Sequence, residues 1–156
     1  MANLTTIMQP RLDYSKADPA GYQAVLKLEM HVRNSGIDPT LWELVKIRAS
    51  QINGCAYCID MHTKEARAKG ETEQRIYLLS AWRESPLYTD AERAALAWTE
   101  AVTLISETHA PDDVYEELAR HFSDGQQAQL TIAIGMINLW NRLAISFRAI
   151  HPAAQA

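Results

Sequence analysis

Cysteine is scarce in this chain: there are two in 156 residues, Cys55 and Cys58, and they make a single C-x-x-C. A small secreted domain stapled by disulfides scatters four or more, so such a framework is excluded. Two thiols this close hold nothing distant together. Long apolar runs are also missing. The greasiest stretch, Leu130 to Trp140, stops at Asn141-Arg142, short of the roughly 18 residues a membrane span needs, so no membrane partner is expected. Met1 to Arg11 shows no basic segment followed by an apolar one; no secretory signal is read there, and the expected location is cytoplasmic. Positive charge is not in excess. Fifteen Lys and Arg against 19 Asp and Glu leave a net charge of −4, the wrong balance for a nucleic-acid or anionic-membrane surface.

What is present has the balance of a globular protein, 47% hydrophobic and 22% charged. The length suits one domain with a full core, residues 1–156. The pattern predicts about seven helices, no strand, and an all-α single-domain bundle. The first runs from about Pro19 to Asn34 after Asp18, and the second starts at Asp38-Pro39 and ends at Asn53-Gly54. The third runs from the cysteines to Lys69, and the fourth from Thr72 to about Trp82 before Ser85-Pro86. Thr89-Asp90-Ala91-Glu92 opens a fifth with a capping-box pattern, reaching about Glu107. Pro111 starts a sixth, and the seventh runs from about Gly125 to Ala149. Short connections predict helical hairpins.

The seventh helix is apolar nearly all round, which predicts burial on most sides, either at the centre or at a subunit interface. Thr131, Asn138, Asn141 and Arg142 interrupt it, and hydrogen bonding between helices is the preferred reading over a ligand-facing stripe. Trp42, Trp82, Trp98 and Trp140 fall at apolar helical positions and read as packing residues. His31, His109, His121 and His151 lack Cys or carboxylate partners at ligand spacing and read as surface or interface residues.

The chemistry is concentrated between Glu43 and His62. Cys58 and His62 are four apart, neighbours on one helical face, and Cys55 lies a turn before Cys58 near the helix start. Helix-end N–H groups stabilise a thiolate, and cysteines in such settings have pKa values of roughly 3.5–7.5 rather than about 8.5. An adjacent imidazole can accept the thiol proton or, once protonated, stabilise the thiolate. Glu43, on the preceding helix, can approach His62 if the helices fold back at Gly54. A redox dithiol is the preferred reading. A zinc site of Cys55, Cys58, His62 and Glu43 is the second, with a carboxylate as a less common fourth ligand. A pair of buried small residues beside an unrelated His is the third. A thioredoxin-type site is disfavoured, because it needs a βαβ setting. Asp60 points to another face and reads as solvated; Glu65, three beyond His62, reads as an exposed carboxylate rather than a partner of that ring.

The pattern Glu-x11-Cys-x2-Cys-x3-His on two consecutive helices, specific over about residues 38–70, resembles the alkylhydroperoxidase D-like (AhpD-like) group of the carboxymuconolactone decarboxylase superfamily. The resemblance implies an all-α fold, a homo-oligomer (trimer or hexamer), and thiol-dependent reduction of small hydroperoxides. Electrons would come from a dithiol donor such as a lipoylated protein, with no cofactor or metal. It implies that Glu43 and His62 form a proton relay, that Cys58 attacks the peroxide and that Cys55 resolves it. A dithiol sensor or exchange module is the alternative. Lactone decarboxylation is not expected, since that branch generally lacks the cysteine pair. Where the well-studied peroxidases carry a second His before the second cysteine, this chain has Tyr57, a phenol that can donate a hydrogen bond but is a poor base at neutral pH. Helix-dipole reasoning favours Cys55 as the nucleophile. Proximity favours Cys58, one turn from His62 where Cys55 is about two, roughly 10 Å along the axis, and a base must reach the proton it takes. Cys58 is therefore expected to attack.

Overall fold

Capping side chains decide where most of the helices begin. The computed structural model describes residues 9–152. Helix α1 (Tyr14–Ala17) follows Asp13, which accepts the Ser15 N–H, and α2 (Pro19–Arg33) follows Asp18, which accepts that of Gly21. Asp38 takes the N–H groups of Thr40 and Leu41 at the start of α3 (Pro39–Asn53), where Pro39 has no N–H to satisfy. Gly54 closes α3 in the left-handed region, φ 70°, which glycine adopts without strain. Helix α4 (Ala56–Ala68) starts at once with Cys55 as its cap. Then come α5 (Glu73–Leu78), a tighter 3₁₀ turn over Leu79–Glu84, α6 (Asp90–Thr103), α7 (Ile105–Thr108), α8 (Asp112–His121) and α9 (Asp124–Phe147). Full capping boxes open α6 (Thr89 with Glu92) and α9 (Ser123 with Gln126).

There are thus nine α-helices and no strand among the described residues, against about seven expected. The difference lies in breaks and short pieces. The predicted fourth helix tightens after Leu78 and kinks at Ala81, the predicted fifth breaks at Leu104 to leave α7 separate, and α1 is an additional four-residue turn.

Helix α3 sits at the centre, packed against α4, α6 and α9. Trp42, Val45 and Ala49 join one core cluster with Ile134 and Ile137, and Leu44 and Ile47 join a second with Leu79, Trp82 and Leu96. Burying each Leu or Ile side chain contributes about 1.5–3 kcal/mol, so these two clusters hold α3 from both sides. Three of the polar residues of α9, Thr131, Asn138 and Asn141, bond between helices, while Arg142 donates to Asn138 within α9. Asn53 Nδ2 donates to Asn138 Oδ1 and Asn141 Oδ1, both at 2.9 Å, and Asn141 Nδ2 donates to Ser50 Oγ at 3.0 Å. Those bonds pin the end of α3, and with it the turn that carries the cysteines. Helix α9 has the length and composition of a membrane span, but Leu130, Ile134, Met136, Ile137 and Asn141 are buried in the bundle. Burial is not all round: Ile132, Leu139 and Ile145 are 44%, 37% and 44% exposed.

Candidate active site

The turn at Gly54 folds α4 back along α3, which sets Glu43 and Lys46 of α3 beside His62, Glu65 and the following Lys69. Cys55 and Cys58 are joined by a disulfide, with Cα atoms 5.3 Å apart. Both residues are almost fully enclosed, 1% and 2% exposed, with Ala144, Tyr57 and Ala149 packed against them. As the cap of α4, Cys55 Sγ accepts the Cys58 N–H at 3.3 Å.

His62 lies one turn beyond Cys58 and is buried. Its Nδ1 is 3.0 Å from Glu65 Oε2, and its Nε2 is buried with no hydrogen-bond partner among the described residues. A proton on Nδ1 shared with the carboxylate leaves Nε2 as the lone-pair nitrogen, the tautomer of a base. Cys58 and His62 both line a cavity of about 160 Å³, which is roofed by Tyr14 of α1 and Tyr22 and Leu26 of α2, with Trp140 of α9 on its wall. The Tyr22 and Trp140 rings meet edge to face at 5.8 Å. Tyr57, half-buried, lines the same cavity.

The electrostatic frame comes from two helices. Glu43 is buried, and its Oε1 accepts from Lys46 Nζ at 3.0 Å and from Lys69 Nζ. Lys46 Nζ also reaches Glu65 Oε2 at 3.4 Å. Glu43 Oε2 has no hydrogen-bond partner among the described residues and stands 3.9 Å from His62 Nδ1, an ion-pair distance too long for a hydrogen bond. The bond from His62 is the leading cause that holds the Glu65 carboxyl down to about 2; burial opposes it and Lys46 assists. Two carboxylates and two ammonium groups thus stand around the ring.

The sequence-derived residues therefore come together in part. Cys58 and His62 share one cavity wall, and Cys55 stands behind Cys58. Glu43 approaches His62, but Glu65 takes the ring hydrogen bond, correcting its reading as a mere exposed carboxylate; its side chain is 36% exposed. Lys46 and Lys69 were missed, although Lys46 follows Glu43 by three residues, a spacing that puts them on one face. Asp60 pairs with Lys64 away from the ring. His31, His109, His121 and His151 are exposed, and Trp42, Trp82 and Trp98 are buried. In this form the two cysteine sulfurs are bonded to each other. Single ligand atoms of Glu43, His62 and Glu65 lie within 4.8 Å of one another, a spacing that could hold a cation. Lys46 and Lys69 already bond Glu43 Oε1 and Lys46 reaches Glu65 Oε2, whereas Glu43 Oε2 is left without a partner among the described residues.

The two carboxylates should separate by stability. Glu43→Gln leaves Lys46 buried with one distant partner and is expected to cost about 3–5 kcal/mol, the range for breaking a buried ion pair. Glu65→Gln, partly solvated, should cost less than about 1 kcal/mol. Urea midpoints of the two variants at equal m-value measure the difference.

Comparison with known proteins agrees with this architecture. Residues 19–101 match the carboxymuconolactone decarboxylase family model. The uncharacterised protein YdfG of Bacillus subtilis is 45% identical over 139 residues, covering 89% of this chain and 95% of that protein. A crystal structure of an Agrobacterium tumefaciens protein of unknown function, proposed there to be the antioxidant defence protein AhpD, superposes with a TM-score of 0.91 at 53% identity. That match covers 94% of this chain and all of the other. The alkyl hydroperoxide reductase AhpD of Acidobacterium capsulatum is 40% identical over a shorter stretch of 45 residues, 29% of this chain and 25% of that protein.

Proposed function

This chain belongs to the carboxymuconolactone decarboxylase family, and from that premise we propose that it is a thiol-dependent peroxidase that reduces small organic hydroperoxides. One observation carries the reading: the buried, unpartnered Nε2 of His62 stands on the same cavity wall as Cys58, with Nδ1 held by Glu65.

In the reduced protein His62 Nε2 takes the Cys58 thiol proton. The thiolate attacks the distal peroxide oxygen, the O–O bond breaks, and the protonated imidazole returns the proton to the departing alkoxide. Cys58 is left as a sulfenic acid. The Cys55 thiol attacks that sulfur, water leaves, and the disulfide forms. One hydroperoxide and two thiols become one alcohol, one water and one disulfide. A dithiol donor then restores the pair. Glu65 positions the imidazole, while Glu43 holds Lys46 and Lys69 and keeps a negative charge near the ring. Tyr57, on the cavity wall, is a hydrogen-bond donor to a bound peroxide.

Consumption of cumene hydroperoxide with dihydrolipoamide as donor tests the reading. Turnover proportional to enzyme supports it. Disulfide exchange with the donor but no peroxide consumption would replace it with the dithiol exchange module.

A homo-oligomer, a trimer or hexamer, is part of the same proposal. Ile132, Leu139 and Ile145 on α9 leave apolar surface that self-association would cover. Sedimentation at micromolar concentration is expected to show a species at least three times the 17.5 kDa chain; a lone monomer would refute it.

A further inference from the structure

The cavity beside Cys58 has two kinds of lining, and the chemistry above uses only one of them. Cys58 and His62 carry the reaction. The rest of the apolar lining comes from elements far apart in the chain: Tyr14 of α1, Tyr22 and Leu26 of α2, and Met136 and Trp140 of α9. We propose that this lining is a subsite for an aromatic ring, so that the substrate is a neutral hydroperoxide whose peroxide-bearing carbon carries an aryl group. Tyr22 and Trp140 then set specificity. The inference rests on the peroxidase reading given above and narrows its substrate class.

Size is the first support. The cavity measures about 160 Å³, and an apolar protein cavity of about 150 Å³ takes one benzene. Ring geometry is the second. Tyr22 meets Trp140 at 5.8 Å with planes 74° apart, and meets Tyr14 at 6.0 Å with planes 55° apart. Aromatic rings favour such tilted contacts, so a further ring extends the cluster where an alkyl group only fills space. The roof is tied down. The Arg11 backbone N–H donates to the Phe147 carbonyl at 2.9 Å, its guanidinium donates to the Ser146 carbonyl at 3.1 Å, and Tyr14 rests against the Phe147 ring.

Charge is the third support. The charged groups of the lining pair with one another, Arg33 with Glu29 at 2.7 Å and Lys46 with Glu65 at 3.4 Å. An ionised substrate would lose its water there without gaining a partner of its own. Reach is the fourth. Ala144 packs against the cysteine pair and follows Trp140 by four residues, about 6 Å along α9. A ring joined to the peroxide-bearing carbon covers that interval, with its distal oxygen toward Cys58. The family match does not imply this lining: Tyr14 and Trp140 lie outside residues 19–101, whereas Cys58 and His62 lie inside. Trp140, a packing residue by its sequence position, thereby gains a second role. The balance of the reaction is unchanged, since one aryl hydroperoxide and two thiols give one aryl-bearing alcohol, one water and one disulfide.

Cumene hydroperoxide and tert-butyl hydroperoxide are both tertiary and differ by a phenyl in place of a methyl, so their comparison isolates the ring. With dihydrolipoamide as donor, kcat/KM should favour cumene hydroperoxide by at least about tenfold, after division by the ratio of their rates with free cysteine. In Tyr22→Leu and in Trp140→Leu that preference should fall below about threefold. A smaller preference in the unsubstituted protein, or one that survives both substitutions because the two substrates lose equally, would overturn the proposal. A second measurement needs neither variant nor turnover. In the oxidised protein, 2-phenyl-2-propanol, the alcohol formed from cumene hydroperoxide, should shift the Trp140 indole N–H signal in NMR spectra, and tert-butanol at the same concentration should not. No shift with the aryl alcohol, or equal shifts with both alcohols, would also overturn it. If the reduced protein consumes neither hydroperoxide, the peroxidase reading falls, while the indole signal still decides whether the cavity holds a ring.

Discussion

Cys58→Ser is expected to leave no measurable reaction with hydroperoxide, whereas Cys55→Ser should react once and stop. Both cysteines are enclosed, so general accessibility does not choose between them. The choice comes from what lies next to each. Cys55 caps α4 and has the helix-end N–H of Cys58 at 3.3 Å, which favours a thiolate there. Cys58 shares a cavity wall with a histidine whose Nε2 is free to take a proton. A single backbone N–H stabilises charge but can neither accept the thiol proton nor protonate an alkoxide, and the peroxide step needs both. In the Cys55→Ser protein the sulfenic acid on Cys58 has no second thiol in the chain to condense with, so dimedone should trap it in a one-to-one adduct. Mass spectrometry of both single-cysteine variants locates it. An adduct on Cys55 in Cys58→Ser, with none on Cys58 in Cys55→Ser, would hand the attack to the capping cysteine.

Much of this was legible in the sequence because it depends on local rules. Asp38-Pro39, Asn53-Gly54 and Thr89 with Glu92 are short-range signals, and the structure uses each of them. The i, i+4 spacing of Cys58 and His62 placed both on one face for the same reason. Tertiary choices were not legible. Glu65 lies three residues after His62 on the same helix, so its bond to the ring follows a local spacing that was read as exposed, whereas the approach of Glu43 depends on how α4 crosses α3. The unmarked breaks at Ala81 and Leu104 have no glycine or proline. Side chains support both places: Arg93 donates to the Trp82 and Ser85 carbonyls at the end of the tightened turn, at 3.1 and 3.0 Å, and Thr108 Oγ1 donates to the Ala101 carbonyl before Leu104 at 2.6 Å. Apolar residues all round α9 likewise cannot say which side the rest of the bundle covers.

His62→Ala is expected to lower the rate of the peroxide step by about 10²–10⁴-fold, the range for loss of a positioned acid–base group. The size of the loss separates two roles. A cysteine with the ordinary pKa of about 8.5 is roughly 3% thiolate at pH 7, so losing thiolate stabilisation alone costs at most about 30-fold. Any greater loss belongs to protonation of the departing alkoxide. The pH profile makes a second separation. Glu65 is held at about 2, below its ordinary 4.5, so its stabilising contact is complete above about 4.5 and is lost as pH falls from there through about 2. From pH 5 upward Glu65 stays ionised, and any pH dependence of the rate there comes from the thiol and the imidazole. In His62→Ala the rate should rise tenfold per pH unit up to the thiol pKa, and added imidazole should restore part of it. Glu65→Gln should keep the base but lose its orientation, with a smaller loss that imidazole does not repair. Single-turnover oxidation by cumene hydroperoxide between pH 5 and 9 measures all three proteins. Imidazole rescue of Glu65→Gln equal to that of His62→Ala would mean that the carboxylate holds the fold of the site rather than the ring.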